Sequence, residues 1–510
     1  MTHRPFAPEG KFAALLPHAA TPCPAAARPY VLAATIIASA MAFIDSTVVG
    51  IAVPAIQKDL ASDIVAMQWV ANAYLLMLGA LILVGGGLGD RIGRRRVFLA
   101  GIVVFTFASL LCAVAPDAAF LIAARAFQGI GAALLVPQSL AIISANFPKD
   151  IRGKAIGTWA AASAVTTALG PPIGGFLIDL LSWRAAFWIN LPLAAIALYL
   201  TARFVPESRD EGEEGPIDWL GAAIAVVAFG ALTYGLSAIS ERQVSVAVIA
   251  AAIVAGLIGL AVYVPVEQRA ANPVTPPALF RSKTFTSVNI VTVFLYGALS
   301  GVLFLLPFDL LNRRGFSAAT TGLIMLPFGL IIGGLSRTAG ALADTYGPRF
   351  FLVTGPLLVG AGSLGFAFVI PDLWLGVVLP VVLIGLGMAL AASPLTTAVM
   401  NAVPDGKSGA ASGISNAASR LSGVFAIAIF GATAGVVFGW TAPASARFGV
   451  FPPADDQAHG AVVGAFLSAY SAAMIFGAVW CLIAAAISFV TLKGTAPPRK
   501  TEAKAAPAGR

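Results

Sequence analysis

Charge is scarce in this chain: Asp, Glu, Lys and Arg together make up 11% of its 510 residues, against about a quarter in a soluble domain. Length alone would allow about three domains of roughly 150 residues, but there are too few charges to solvate their surfaces. Cysteine is nearly absent too. Cys23, Cys112 and Cys481 are far apart and form no CxxC pair, which argues against a disulfide framework or a thiolate metal site and for single buried thiols. His3, His18 and His459 all lie outside the apolar segments, so neither a haem, nor a metal, nor any other cofactor is expected within a membrane. What the chain has in abundance is apolar sequence, 59% of its residues. The class is integral membrane protein, and disordered, fibrous and disulfide-rich readings fall away together.

A bilayer core of about 30 Å needs roughly 20 apolar residues per helix. Splitting the chain at charges and at Pro/Gly clusters predicts spans near 31–53, 69–88, 97–115, 119–141, 156–176 and 185–204, then 218–239 and 245–265, then 285–307, 318–338, 350–370, 375–398, 412–437 and 468–492. The expected architecture is therefore all-α with fourteen transmembrane helices grouped six, two and six. The domain reading is a disordered cytoplasmic leader (1–30), an N-terminal six-helix bundle (31–204), a linker with two additional helices (205–284), a C-terminal six-helix bundle (285–492) and a cytoplasmic tail (493–510). The acidic run Glu207 to Glu214 reads as a solvated linker, and 439–467 as the longest outside loop.

With the N-terminus inside, 22 of the 31 basic residues fall on cytoplasmic segments, the bias expected of cytoplasmic loops. An even number of spans returns the C-terminus to the cytoplasm. Topology then accounts for the net charge of +8, and a nucleic-acid partner is not called for.

The chain also repeats itself. Gly86, Leu88, Asp90, Gly93 and Arg95 recur as Gly340, Leu342, Asp344, Gly347 and Arg349, each 254 residues later (340 − 86 = 254). Two six-helix halves in parallel orientation follow, the plan of transporters whose cargo site lies between the repeats. The loop motif itself reads Gly86-Gly-Leu-Gly-Asp90-Arg91-Ile-Gly93-Arg94. Small residues let helix ends approach closely, and Asp90 can pair with arginine near a helix N-terminus. Gly86, Asp90, Arg91, Gly93 and Arg94, with Asp344, Gly347 and Arg349 in the second copy, are the expected gating loop; the plainer alternative is a basic loop that only sets topology.

Asp45 stands out because an ionised carboxylate at mid-membrane costs about 2.5–3.5 kcal/mol on insertion scales, so such a residue faces a cavity, pairs, or takes up a proton. Residue counts put Asp45 and Arg125 at similar depth, at about 1.5 Å per residue, where they can meet. A static ion pair is the structural alternative to proton coupling. Gln128, one turn beyond Arg125, is expected to face the cavity with it, while Gly129 and Gly131 allow close helix contact; an interhelical hydrogen bond is the other reading of Gln128. Arg420 admits either snorkelling to the interface or a gating pair. Gly406-Lys407-Ser408 looks like the end of a phosphate loop, but Asn401 stands where the first glycine is required. No nucleotide is expected, and energy must come from an ion gradient.

The Gly86–Arg96 stretch resembles the loop motif of the major facilitator superfamily, and the six-two-six count resembles its fourteen-helix drug:proton antiporter branch. Asp45-Ser-Thr-Val-Val, Trp69-Val-Ala-Asn-Ala-Tyr74, Arg125 with Gln128, Gly170-Pro171-Pro172-Ile-Gly174-Gly175 and Trp183-Arg184 through Asn190-Leu-Pro192 carry the likeness, which covers roughly residues 30–492. The resemblance implies a coupling carboxylate at Asp45. It also implies an antiporter hinge at Gly170, Pro171, Gly174 and Gly175, since that motif belongs to exporters. Gly50, Leu421, Asp309 and Leu311 depart from the branch pattern; Asp309, at the outer end of span nine, is placed with Gln128 in the substrate cavity.

The expectation is a proton-coupled exporter of amphipathic organic compounds or drugs, not an enzyme, working by alternating access in the bacterial inner membrane. Its partners would be a small organic substrate, protons and lipid; a monomer is expected, and a periplasmic adaptor is left open. A dedicated exporter of one endogenous metabolite is the nearest rival, and a channel or membrane receptor a remote one.

Overall fold

The computed structural model describes residues 23–209, 218–241, 244–270, 273, 275–404 and 408–492. Fourteen helices among them are long and apolar enough to cross a bilayer: α1 (Ala25–Asp59), α2 (Ile64–Ile92), α3 (Arg94–Ala113), α4 (Ala118–Asn146), α5 (Asp150–Leu180), α6 (Ala185–Phe204), α7 (Trp219–Ala238), α8 (Val246–Arg269), α9 (Lys283–Arg313), α10 (Ala318–Tyr346), α11 (Pro348–Ala367), α12 (Trp374–Asn401), α13 (Ala410–Thr441) and α14 (His459–Thr491). The protein is a multi-pass membrane protein. We call the face where α1 begins and α14 ends the terminal face, and the opposite one the distal face.

Helix starts are written locally. Asp63 and Asp117 accept hydrogen bonds from the amides of Ala66 (2.7 Å) and Phe120 (2.8 Å), and Ser282 and Ser317 cap α9 and α10 in the same way. Such caps satisfy amides that have no partner inside the helix. At the two copies of the loop motif the chain turns between helices on a left-handed glycine, Gly93 at φ 121° and Gly347 at φ 85°, where a side chain would be strained.

Several helices outrun their apolar cores. Three sequence expectations are corrected. Residues 23–30 are folded: α1 starts at Ala25, and the Cys23 amide donates to the Asn146 carbonyl (3.1 Å) with the thiol buried. Residues 1–22 and the tail 493–510 lie outside the described residues. The distal loop expected over 439–467 is shorter, since α13 runs to Thr441 and α14 begins at His459. Glu207 is no idle linker residue: it accepts from the Arg95 amide (3.0 Å) and packs beside Gly93. Residues 210–217 of that acidic run are outside the described residues.

Helices α1–α6 form one bundle and α9–α14 the other, with α7 packed on both α2 and α13 and α8 packed mainly on α7. The halves meet along two seams, α5 with α10 and α2 with α13. Along the α5–α10 seam the fit loosens toward the terminal face. A Cβ at Gly175 would collide with the Ala318 carbonyl, at Gly322 with that of Pro171, and at Gly329 with Ala168. At Gly333 the nearest atom to such a carbon, on Ala164, is 3.8 Å away, and at Gly334, Gly157 and Gly153 nothing lies within 4 Å. The two helices therefore touch distally and part terminally.

Distal contacts seal the joint further. Asp179, at the end of α5, accepts from the first amides of α10, Ala318 (3.0 Å) and Ala319 (2.8 Å), where the helix N-terminus favours an anion. Gln57 donates to the Phe448 carbonyl (3.1 Å) and Arg447 to the Ala61 carbonyl (2.9 Å). These tie the α13–α14 loop to the first half, and Phe448 is buried against Phe308, Phe438 and Phe466.

Candidate functional site: a buried ion pair and the seams beside it

On α1, Asp45 sits among buried Met41, Ala42, Val48 and Val49. Four helices converge on it. Arg125 of α4 brings Nη1 to 2.5 Å from Asp45 Oδ2, and Gln128 donates from Nε2 to Oδ1 at 2.8 Å. Asn190 of α6 points Nδ2 at the same Oδ1 from 3.5 Å and donates to Ser109 Oγ of α3 at 2.9 Å. The guanidinium is shared further: Nε donates to the Val70 carbonyl of α2 (3.1 Å), Nη1 to Gln128 Oε1 (2.7 Å), and Tyr74 lies 4.3 Å beneath it. Asp45 and Gln128 have no exposed surface and Arg125 has 1%. Removing one partner of such a pair costs about 3–5 kcal/mol, since the other charge is left stranded.

Gly129 and Gly131 lie against the backbone of Tyr74 and Phe105, which draws α2 and α3 onto α4 and leaves Gln128 no cavity to face. In this conformation Gln128 belongs to the cage around Asp45 and faces no open cavity. Asp309, the other residue expected in the cavity, sits at the distal end of α9. It is buried and paired with Arg313 and with Arg314 (2.9 Å), and Arg314 also donates to the carbonyls of Ile370 and Pro371. Asp309 thus fastens the distal end of α9 to the α11–α12 turn.

In the first copy of the loop motif, Arg94 bonds Asp90 through Nε (2.8 Å) and Nη2 (2.6 Å), while Gly86 and Gly89 abut Pro137 and Gln138 of α4 and a Cβ at Gly87 would come within 3.7 Å of the Arg91 guanidinium. In the second, Gly340 packs on Ser393 and Arg349 covers the Phe489 ring at 4.5 Å. Asp344 has no ion pair among the described residues. Each loop therefore binds only within its own half. The α5 motif is two-sided: Gly170 and Gly174 press on Thr47 and Val48 of α1, and Pro171 and Gly175 press on α10. Arg420 stands beside Gly79, midway along α2, half-buried and without an ion pair among the described residues; neither of its two expected roles is seen.

Two features escaped sequence reasoning. One is the Asn190–Ser109 bridge behind Asp45. The other lies on the α13-facing stripe of α2, formed by Gln68, Leu75, Gly79 and Leu83, whose opposite numbers are Gly431, Gly423, Arg420 and Gly413. Asn72 falls on that stripe by helical spacing. Gln68 and Asn72 are fully buried, and among the described residues neither end of either amide has a hydrogen-bond partner. A buried group left unpaired costs about 1–3 kcal/mol. Just distal to Gln68 opens a cavity of ≈ 330 Å³ lined by Asp63, Glu241, Gly435 and Arg447. Burial, and then the negative charge of Asp63, push the Glu241 carboxyl above its ordinary value.

Similar proteins agree with this architecture. Residues 35–427 match the model of the Major Facilitator Superfamily. A multidrug resistance protein of Mycobacterium tuberculosis is 34% identical over 403 residues, covering 78% of this chain and 74% of its own. A puromycin resistance protein of Streptomyces alboniger is 33% identical over 474 residues, 90% of each chain. A cephamycin export protein of Amycolatopsis lactamdurans is 35% identical over 398 residues, covering 76% of this chain and 80% of its own. Among solved structures, a bacterial homolog of the human lysosomal transporter Spinster, inward-facing and unoccupied, superposes with a TM-score of 0.68 at 18% identity, covering 92% of this chain and 98% of that one. The six-two-six helices, the duplicated loop and the family match together place the chain: it belongs to the Major Facilitator Superfamily.

Proposed function

We propose that the protein is a proton-driven exporter of amphipathic organic compounds, drugs and antibiotics among them, in the bacterial inner membrane. The observation that carries this reading is the carboxylate of Asp45, buried without exposure and held by Arg125 and Gln128. The relatives bear names of multidrug resistance, puromycin resistance and cephamycin export, which supports an outward direction and organic cargo. The excess of Lys and Arg on segments at the terminal face supports a topology with both termini in the cytoplasm. The conformation described here is then the one sealed outward and open inward.

The proposed cycle follows from what holds Arg125. A proton arriving at Asp45 removes one of its partners but leaves the Val70 carbonyl, Gln128 and the Tyr74 ring. The guanidinium shifts toward α2, whose other side is a seam between the halves, so a protonation on α1 is felt where the bundles rock. Loss of the proton restores the pair and the starting state. One proton entering supplies about 2.3 kcal/mol per 100 mV and about 1.4 kcal/mol per unit of pH difference, enough for more than a tenfold cargo gradient. Both halves reside in one chain, so a monomer suffices.

The test is cargo accumulation by proteoliposomes under an imposed pH gradient, wild type against Asp45→Asn. Accumulation by the wild type and none by the variant is expected. A variant that still concentrates cargo on acidity alone overturns the mechanism.

A further inference from the structure

The α2–α13 seam is closed over polar groups that gain nothing from closure. Gln68 fits into the notch of Gly431 and Asn72 lies one turn further in, both amides buried and unpartnered among the described residues. Lipid does not account for them, since they face another helix rather than the bilayer. Packing does not either, since leucine or methionine would fill the same space without stranding four polar atoms. The stripe also leads somewhere. One turn distal to Gln68 and Gly431 are Ile64 and Gly435, which line the cavity bounded by Asp63, Glu241 and Arg447. A polar line therefore runs from mid-seam to the distal surface, shut at present by the contact of α2 with α13.

We propose that Gln68 and Asn72 line a release path that exists only while this seam is parted, where their amides hydrogen-bond neutral polar groups, hydroxyl, amide or carbonyl, of the departing cargo. The proposal rests on the alternating-access reading above. It gives the amides two effects at once: they favour the parted seam, because water or cargo then satisfies them, and they select cargo at the exit rather than at the inner cavity.

Three measurements on the full chain test it. Asn72→Cys, and separately Gln68→Cys, should react from the distal side with a membrane-impermeant thiol reagent, and at least tenfold faster when Gly322→Ala keeps the distal face from closing. Cysteines that stay inert in that background, while Lys58→Cys labels, overturn the proposal. Spin labels at Lys58 and Ser445 should show the ratio of closed to parted molecules rising about tenfold in a Gln68→Met/Asn72→Leu double variant; an unchanged distribution shows the amides to be static packing and sinks it. With puromycin as probe, Asn72→Leu should raise KM fivefold or more at unchanged proton dependence, and Asn72→Gln should restore it; a KM that does not move counts against selection at the exit. A wild type without gradient-driven puromycin flux would refute the exporter reading, while labelling and distances would still decide this one.

Discussion

The two halves of the duplication have the same helices and opposite interiors. Shifted by 254 residues, Asp45, Arg125 and Gln128 correspond to Leu299, Leu379 and Val382. The second bundle centres instead on rings: Trp480 packs on Phe294 (5.4 Å) and Phe430 (5.8 Å), and Phe430 on Phe476 (5.5 Å), with Gly297 and Gly301 making room for them. Aromatic packing holds one geometry at any pH, whereas an acid caged by a guanidinium and two amides has two charge states. On the proposed mechanism, the duplication is divided between a half that switches and a half that gives it something to move against.

This contrast can be broken most severely at Arg125. Arg125→Ala leaves Asp45 charged in an apolar bundle and should cost about 3–5 kcal/mol of stability, seen as a lower thermal midpoint in detergent. The Asp45→Asn/Arg125→Gln double variant should recover most of that stability and none of the gradient-driven transport. In the ring-packed half, Phe430→Ala should cost a comparable amount, about 3–5 kcal/mol, yet leave the dependence of the remaining transport on pH unchanged. Should Phe430→Ala shift the pH profile, the division of labour fails. Between the halves, Gly322→Ala meets the Pro171 carbonyl and should cut transport at least tenfold while the protein stays folded, read as flux against monodispersity. The smallest effect concerns Glu241. Its carboxyl is raised by burial and by Asp63, so the folded corner favours the neutral form. As pH rises above the unperturbed 4.5 and through the folded value, charge appears there and the corner loosens, only partly offset by Arg447 across the cavity. Labelling of Ser240→Cys should quicken over that window and become flat in Glu241→Gln.

Hydropathy and the 254-residue repeat made the helices and their pairing legible, since lipid imposes a length and duplication copies a spacing. Asp45 and Arg125 were legible for a related reason: charge inside an apolar run demands a partner at equal depth. What covers a side chain was not legible. Gln128 lies on the expected side of α4, but the elements that close over it come from α1 and α3, which no spacing along α4 announces. For Asp309 the signal was present and went unused, because Arg313 four residues on is a ready helical partner. Asp179 also carried one: an acid at the C-terminal end of a helix is placed against its own dipole, which makes sense only if another helix begins there.

That clasp is peculiar in what it grips. Asp179 holds peptide N–H groups, which every amino acid except proline supplies, so ordinary side-chain replacements at Ala318 or Ala319 leave its receptor in place. The part of the distal latch that Asp179 supplies is therefore tuned through its carboxylate alone, and a lineage adjusting that part would have essentially one codon to adjust there.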